Sequence, residues 1–270
     1  ELAVSAGEAL GHRAASGHVS GSPVSTWDFF PVSNHPAGAQ LSMSAGGLAA
    51  FGRMHARDGL AANGNRVLSA ESARAMRQAR MPLPNGTSWQ GLGWQMGSEP
   101  GLVFHGGGAL GVSSFLCIAP ESGVVIALAA NGGDGSALVQ QVFDPLLSEL
   151  VGTVLPSPNP EPPPAHGLDD PDRYSGEYRL RNACAEVTVD ESGRLWLATL
   201  ATGEGASLSE RCGVPVQPGP SVELRQRDGD VFAILNADGK VGGTAVFFGG
   251  DDRGRAGFLH HAGRAAPRAG

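Results

Sequence analysis

Leu102-Val103-Phe104-His105-Gly106-Gly107-Gly108 opens the segment that decides the fold. It is followed by Val112-Ser113-Ser114-Phe115-Leu116-Cys117-Ile118, by Ala119-Pro120-Glu121-Ser122-Gly123, and by Val124-Val125-Ile126-Ala127-Leu128-Ala129-Ala130. Short apolar, β-branched runs separated by Pro, Gly and Ser turns are the signature of hairpins in a buried antiparallel sheet. The first strand is expected to end at His105, where three glycines open a bend. Asn131-Gly132-Gly133-Asp134-Gly135 stops the third strand. Leu138, Val139, Val142, Phe143, Leu146, Leu147, Leu150 and Val151 then recur at helical spacing and predict an amphipathic helix.

Working outward, Ser44 caps a helix predicted to run to about Asp58, with Leu48, Phe51 and Met54/His55 on one face and Gly59 as its stop. Ser69 caps a second helix over Ala70–Ala79. A Pro/Gly/Asn loop, Met81 to Ser88, leads to Gly91-Leu92-Gly93-Trp94. Residues 1–43 read as loops with short strands. A sheet needs helices on its faces. Helix, loop, helix, three strands and a closing helix therefore predict an α/β (α+β) sandwich with an antiparallel sheet, incomplete at its N-terminal side.

Leu155-Pro156-Ser157-Pro158-Asn159-Pro160-Glu161-Pro162-Pro163-Pro164 ends that domain. Prolines at this density continue neither helix nor ladder and favour an extended spacer. The expected organisation is a first domain over 1–154, a linker over 155–168 and a second domain over 169–270. In the last, apolar runs recur about every ten residues: Gly176–Leu180, Ala185–Val189, Arg194–Ala198, Val222–Arg225, Val231–Leu235, Thr244–Phe248 and Gly257–His261. Turn signals separate them, which predicts an all-β up-and-down barrel.

Composition narrows the function. Of 270 residues, 41% are hydrophobic and 17% charged, and 41 Gly and 19 Pro favour turns over helical bundles. The net charge is −7, Lys240 is the only lysine, and no basic stripe is present, so nucleic acid is not an expected partner. No apolar run approaches the ~18 residues needed to span a membrane, so no membrane contact is expected. Cys117 reads as a buried small hydrophobe. Cys184 and Cys212 are expected as free thiols, although a pairing between them stays open. His35, His55, His260 and His261 have no ligand spacing, so neither metal nor cofactor is expected, and packing or surface positions account for them.

His105-Gly106-Gly107-Gly108 carries the chemistry. Three glycines remove every Cβ from one backbone edge, so a ligand can approach N–H donors closely. A histidine beside that edge is a donor or acid/base near neutral pH. A glycine-rich turn with an incidental histidine would account for these four letters alone. Their neighbours change that weight.

Pro36-Ala37-Gly38 through Ser44-Ala45-Gly46-Gly47-Leu48-Ala49-Ala50-Phe51, then Arg66-Val67-Leu68-Ser69, Gly91-Leu92-Gly93-Trp94, His105-Gly106-Gly107-Gly108 to Gly111, Ala119-Pro120-Glu121-Ser122-Gly123 and Ala130-Asn131-Gly132 form an ordered series. It resembles the serine β-lactamase and penicillin-binding-protein superfamily, in its class C and esterase-like branch, over about residues 11–152. The resemblance implies an active-site serine enzyme forming an acyl-enzyme on peptide-like amides, esters or thioesters. It places His105 at the Lys/His position of the third family motif, Gly106 at the small position and Gly107 at the Gly position. Gly108 then supplies a backbone N–H to the oxyanion hole. His105 and Gly108 are the expected catalytic residues. Gly106 and Gly107, with Trp94 and Phe29, are expected to contact substrate; core packing is an equal reading of Trp94 and its neighbour Trp89. Asp28, Phe29 and Phe30 fall in the loop that borders the family's pocket.

The two other family motifs are absent. Three residues before Lys240 stands Ala237, so no Ser-x-x-Lys exists. Tyr174 and Tyr178 lack the following Asn, and Ser157-Pro158-Asn159 lies among linker prolines. The chain is therefore expected to be the C-terminal part of a longer enzyme, whose N-terminal part, in the same or a companion chain, holds the nucleophile. Tyr174-Ser175-Gly176-Glu177-Tyr178 resembles the start of the lipocalin-like domain appended to some of these hydrolases. Relatives with that tail include D-amino-acid-specific peptidases and stand-alone thioesterases that cyclise nonribosomal peptides. The tail fences the site, binds a substrate carrier protein or merely stabilises; these stay open. A peptide cyclase, and a catalytically dead binding module, are the competing functions.

Overall fold

The computed structural model describes residues 2–3, 5–12, 14–25, 41–97, 101–109, 111–156 and 161–270. The chain divides into two compact units, Glu1–Leu83 with Thr87–Pro156, and Ser157–Gly270 with Pro84–Gly86.

The first unit contains β1 (Leu2–Ala3), α1 (Ala6–Leu10), β2 (His18–Val19), β3 (Ser22–Pro23), β4 (Ser42–Met43), α2 (Ala45–Ala56), α3 (Ala70–Met76), β5 (Met81–Pro82), β6 (Ser88–Gln90), β7 (Gln95–Gly97), β8 (Val103–Ala109), β9 (Val112–Ala119), β10 (Val124–Ala130) and α4 (Gly135–Val151). Strands β5 to β10 form one antiparallel sheet in sequence order, with β10 and β5 at its edges. Both predicted N-caps act: Ser44 Oγ accepts from the Gly47 amide at 3.1 Å and Ser69 Oγ from the Ser72 amide at 3.0 Å. Asp134 caps α4, and Gly152 ends it in the left-handed conformation.

Period-two alternation sorts the side chains of the sheet onto two faces. Phe104, Cys117, Ala119 and, partly buried, Val124, Ile126 and Leu128 pack against Phe143 and Leu147 of α4. Val103, Leu116, Ile118, Val125 and Ala127 pack on the other face with Leu48 and Ala56 of α2. The two helices thus cover opposite faces, which is the α/β sandwich expected. One detail differs: β8 does not stop at His105 but runs through all three glycines, paired Gly106↔Phe115, Gly107↔Ser114 and Gly108↔Ser113. Glycine lacks a side chain to pack, not backbone groups to pair, and β9 supplies the partners.

The second unit is an eight-stranded antiparallel sheet, each strand paired with the next: β11 (Gly176–Arg179), β12 (Ala183–Val189), β13 (Leu195–Ala201), β14 (Val222–Asp228), β15 (Val231–Leu235), β16 (Val241–Gly250), β17 (Ala256–His261) and β18 (Arg264–Pro267). The barrel nearly closes: a bridge joins Tyr178 to Arg268, and the Ala269 amide donates to Glu177 O at 2.7 Å. Tyr174, Tyr178, Phe232 and Phe247 fill its core. One helix, α5 (Gly203–Arg211), is inserted between β13 and β14, so the unit is not purely β. Residues after the prolines lie on the barrel. Arg225 Nη1 donates to Pro163 O at 3.2 Å, and the Leu168 amide to Gly193 O at 3.0 Å. No helix among the described residues is long and apolar enough to cross a membrane.

Candidate active-site wall

Strand β8 has two halves. Its first two residues are flanked on both sides: Val103 pairs with Met96 and Ile118, and Phe104 with Gln95 and Cys117. From His105 onward only β9 is paired, so among the described residues the outer edge of His105–Ala109 is open. All four residues from His105 to Gly108 are exposed, after Val103 and Phe104 at 5% and 7%.

The edge is open because β7 begins only at Gln95, the register partner of Phe104. Gly91-Leu92-Gly93-Trp94 is the tight turn between β6 and β7, closed by the Gly91 amide donating to Trp94 O at 2.7 Å. Gln90 Nε2 also donates to Trp94 O, at 3.0 Å. The Trp94 carbonyl therefore faces back into its own hairpin, and among the described residues no strand pairs with His105 on that side. Its indole is 3% exposed and is held by α2, with ring centroids 5.1 Å from His55 and 6.1 Å from Phe51. Trp94 thus sits in the core, whereas Trp89 is 38% exposed. Leu92, quoted above within the Gly91–Trp94 stretch, is 49% exposed on the turn itself.

The far end of the wall is fixed by different contacts. Gly111 in the β8–β9 turn has φ +72°, and a Cβ there would lie 2.4 Å from the His18 backbone nitrogen. Only glycine serves both demands. The His18 amide donates to Gly111 O at 3.0 Å. The His18 ring nitrogen Nδ1 lies 3.1 Å from Asn131 O, and Asn131 Nδ2 donates to Ser16 O at 3.0 Å. Gly111 and Asn131, quoted above for their likeness to family motifs, thus brace the glycine edge.

On the two faces of this edge, His105 and Gly107 share the α2 side with Leu116 and Ser114, while Gly106 shares the α4 side with Phe115. A Cβ on Gly106 would meet the Phe115 ring at 3.2 Å, and one on Gly107 would meet Ser114 Oγ at 3.1 Å. Two clefts, of about 570 and 450 Å³, are lined by neither His105 nor Gly106–Gly108. Among the described residues no wall faces this edge, so the glycine edge and these clefts do not coincide.

Other titratable groups are structural. His55 is 1% exposed, and burial, then the Arg77 charge, lower its pKa. Arg74 and Arg77 grip Asp58, and the hydrogen bond from Arg74 is the main reason its pKa is lowered. All three cysteines are free and buried; burial pushes the Cys117 thiol up to about 12 and Cys184 up to about 11. Phe29, with Asp28, Phe30, His35 and the Pro36–Gly38 stretch, lies outside the described residues. Lys240, in the turn between β15 and β16, is exposed and remote in sequence from the wall.

The Beta-lactamase family model matches residues 3–148, more than half of the chain. This chain belongs to the beta-lactamase family. The matched span holds β8, the Gly91–Trp94 turn, α2 and all but the last three residues of α4. Penicillin-binding protein 4 of Amycolatopsis lactamdurans is 38% identical over 172 residues, 58% of this chain and 45% of that protein. Two solved structures share the fold. One, of SurE, has a TM-score of 0.62 at 24% identity and covers 95% of this chain and 55% of its own. The other, of SurE with D-Leu, has a TM-score of 0.56 at 23% identity and covers 85% of this chain and 50% of its own. The chain spans about half the length of the relatives it matches.

Proposed function

We propose that this chain supplies the acceptor-side wall of a serine hydrolase or acyltransferase, acting through an acyl-enzyme on peptide-like amides, esters or thioesters. The observation that carries the reading is the open edge of β8, where exposed glycines leave backbone N–H groups accessible to a reacting carbonyl. Gly108 donates to the developing oxyanion, Gly106 and Gly107 let the acyl chain approach the strand, and His105 orients or protonates the acceptor. A preorganised donor of this kind typically contributes ~2.7–4 kcal/mol to the transition state. Ser-x-x-Lys, absent from these 270 residues, is supplied by the N-terminal part of the same enzyme, in the same or a companion chain. Phe29 borders the substrate, and Trp94 supports the wall from behind.

The test is covalent labelling of the full-length enzyme with a fluorescent penicillin or a fluorophosphonate. A labelled serine within Ser-x-x-Lys is expected; an intact motif that never labels overturns the reading and favours a binding module. A narrower reading is a thioesterase that cyclises peptides delivered by a carrier protein. The D-Leu held by the structurally similar SurE favours it, as does the appended barrel. It predicts macrocycle from a peptidyl thioester ending in a D-residue. Linear acid from every such substrate counts against it.

A further inference from the structure

Ser114 stands where the acyl-transfer reading has a use for it, although no motif includes it. It is the register partner of Gly107, half-buried on the α2 face of β9. Its hydroxyl leans across the strand, 3.1 Å from the place a Gly107 Cβ would take. Ser113, one residue earlier, points the opposite way, beneath the start of α4, where a Cβ on Gly135 would strike its Oγ. The two serines are therefore not equivalent. Among the described residues Ser114 Oγ has no hydrogen-bond partner, and a hydroxyl can both donate and accept.

His105 is on the same face. Its register partner is Leu116, which makes Ser114 its diagonal neighbour across the strands. Diagonal pairs lie about 7–8 Å apart, within reach of ring side chains. Between them Gly107 leaves an empty lane along β8, since same-face residues on one strand are ~7 Å apart. An alanine at 107 would crowd the lane against the hydroxyl. Gly107 thus has a second role besides exposing backbone: it clears the path by which an imidazole at 105 can lie down along the strand.

We propose that Ser114 is a positioning residue for His105, its Oγ accepting a hydrogen bond from the imidazolium and fixing the ring along β8 against the glycine edge. This rests on the acyl-transfer reading of the wall. The hydroxyl touches no reacting atom; it sets the orientation and proton affinity of the group that does. On the elements packed against this hairpin the ionisable side chains are Arg53 and His55 of α2 and Asp144 and Glu149 of α4. Substitution at 114 leaves all four in place, so a shift in His105 reports the hydroxyl.

The experiment is an NMR titration of the histidine ring protons of the whole 270-residue chain, with the His105 signal identified by its loss in His105→Gln. Removing an acceptor that favours the charged ring lowers its pKa. Ser114→Ala is expected to lower the His105 midpoint by about half a unit. Ser114→Val is expected to do the same, and Ser114→Thr, which keeps the hydroxyl, to restore it. Unchanged His18 and His55 signals show that the sheet is intact. An unmoved midpoint in Ser114→Ala and Ser114→Val, or a threonine variant that behaves like alanine, overturns the proposal. Neither result bears on whether the full-length enzyme labels, so the two readings fail separately.

Discussion

His55 shows how a single side chain links burial to pH. It lies among Phe51, Trp94 and the Arg77 guanidinium, and its Nδ1 is buried without a partner. Burial favours the neutral ring, so the folded pKa is below the ordinary ~6.5. The unfolded chain then binds more protons, and stability falls as pH drops through about 6.5, levelling off below the folded value. Acidification from pH 7 is expected to lower the unfolding midpoint of the first unit, followed by tryptophan fluorescence, and His55→Leu to flatten that dependence. Gly111 sets a second limit at this scale. Gly111→Ala forces a Cβ into the His18 backbone at positive φ and is expected to destabilise by about 1–3 kcal/mol in urea titrations.

At the scale of elements, the decisive feature is the shortness of β7. It begins only at Gln95, after the Gly91–Trp94 turn, and that turn is anchored by one indole packed on α2. Trp94→Ala is expected to cost about 3–5 kcal/mol and to speed hydrogen exchange at Gln95–Gly97. Unchanged exchange there would show that the turn holds itself. The long elements were legible in the sequence. The caps at Ser44 and Ser69, the amphipathic α4 and the β9–β10 hairpin each carry their own local signal. The passage of β8 through three glycines was not legible, because pairing to Ser113 and Ser114 is a tertiary fact. Nor were β6 and β7, three residues each, too short to show alternation. In the barrel, β18 was missed because Arg264-Ala265-Ala266-Pro267 has little apolar content. Helix α5 was missed because Gly203-Glu204-Gly205-Ala206-Ser207 lacks helix formers at its start. At the site, His105 and the glycines could be read from letters alone, whereas Ser114 required the strand register.

For the whole molecule, two units rest on different chemistry. The first is a sheet between helices, with the His105–Ala109 edge of β8 unpaired on its outer side among the described residues. The second closes on itself through Arg268, which donates from Nε to Ala256 O at 2.7 Å and from Nη2 to Arg173 O and the Tyr178 hydroxyl at 2.7 and 2.8 Å. Tyr178 in turn donates to Tyr174 O at 2.8 Å. Arg268→Ala is expected to destabilise the barrel by about 2–4 kcal/mol, seen as a lowered melting transition of the second unit with the first unaffected. Because the three thiols are buried and protonated, reductant is expected to leave both transitions unmoved, and iodoacetamide to modify them only in urea.

The central claim is that the open β8 edge supplies an oxyanion donor from Gly108. Its most direct test is the single-turnover acylation rate of the full-length enzyme with Gly108→Pro, which deletes that N–H from a strand edge. A fall of about 10²–10³ is predicted, with the barrel and sheet transitions intact. A rate within a few-fold of the parent would contradict the claim and remove the glycine edge from the chemistry.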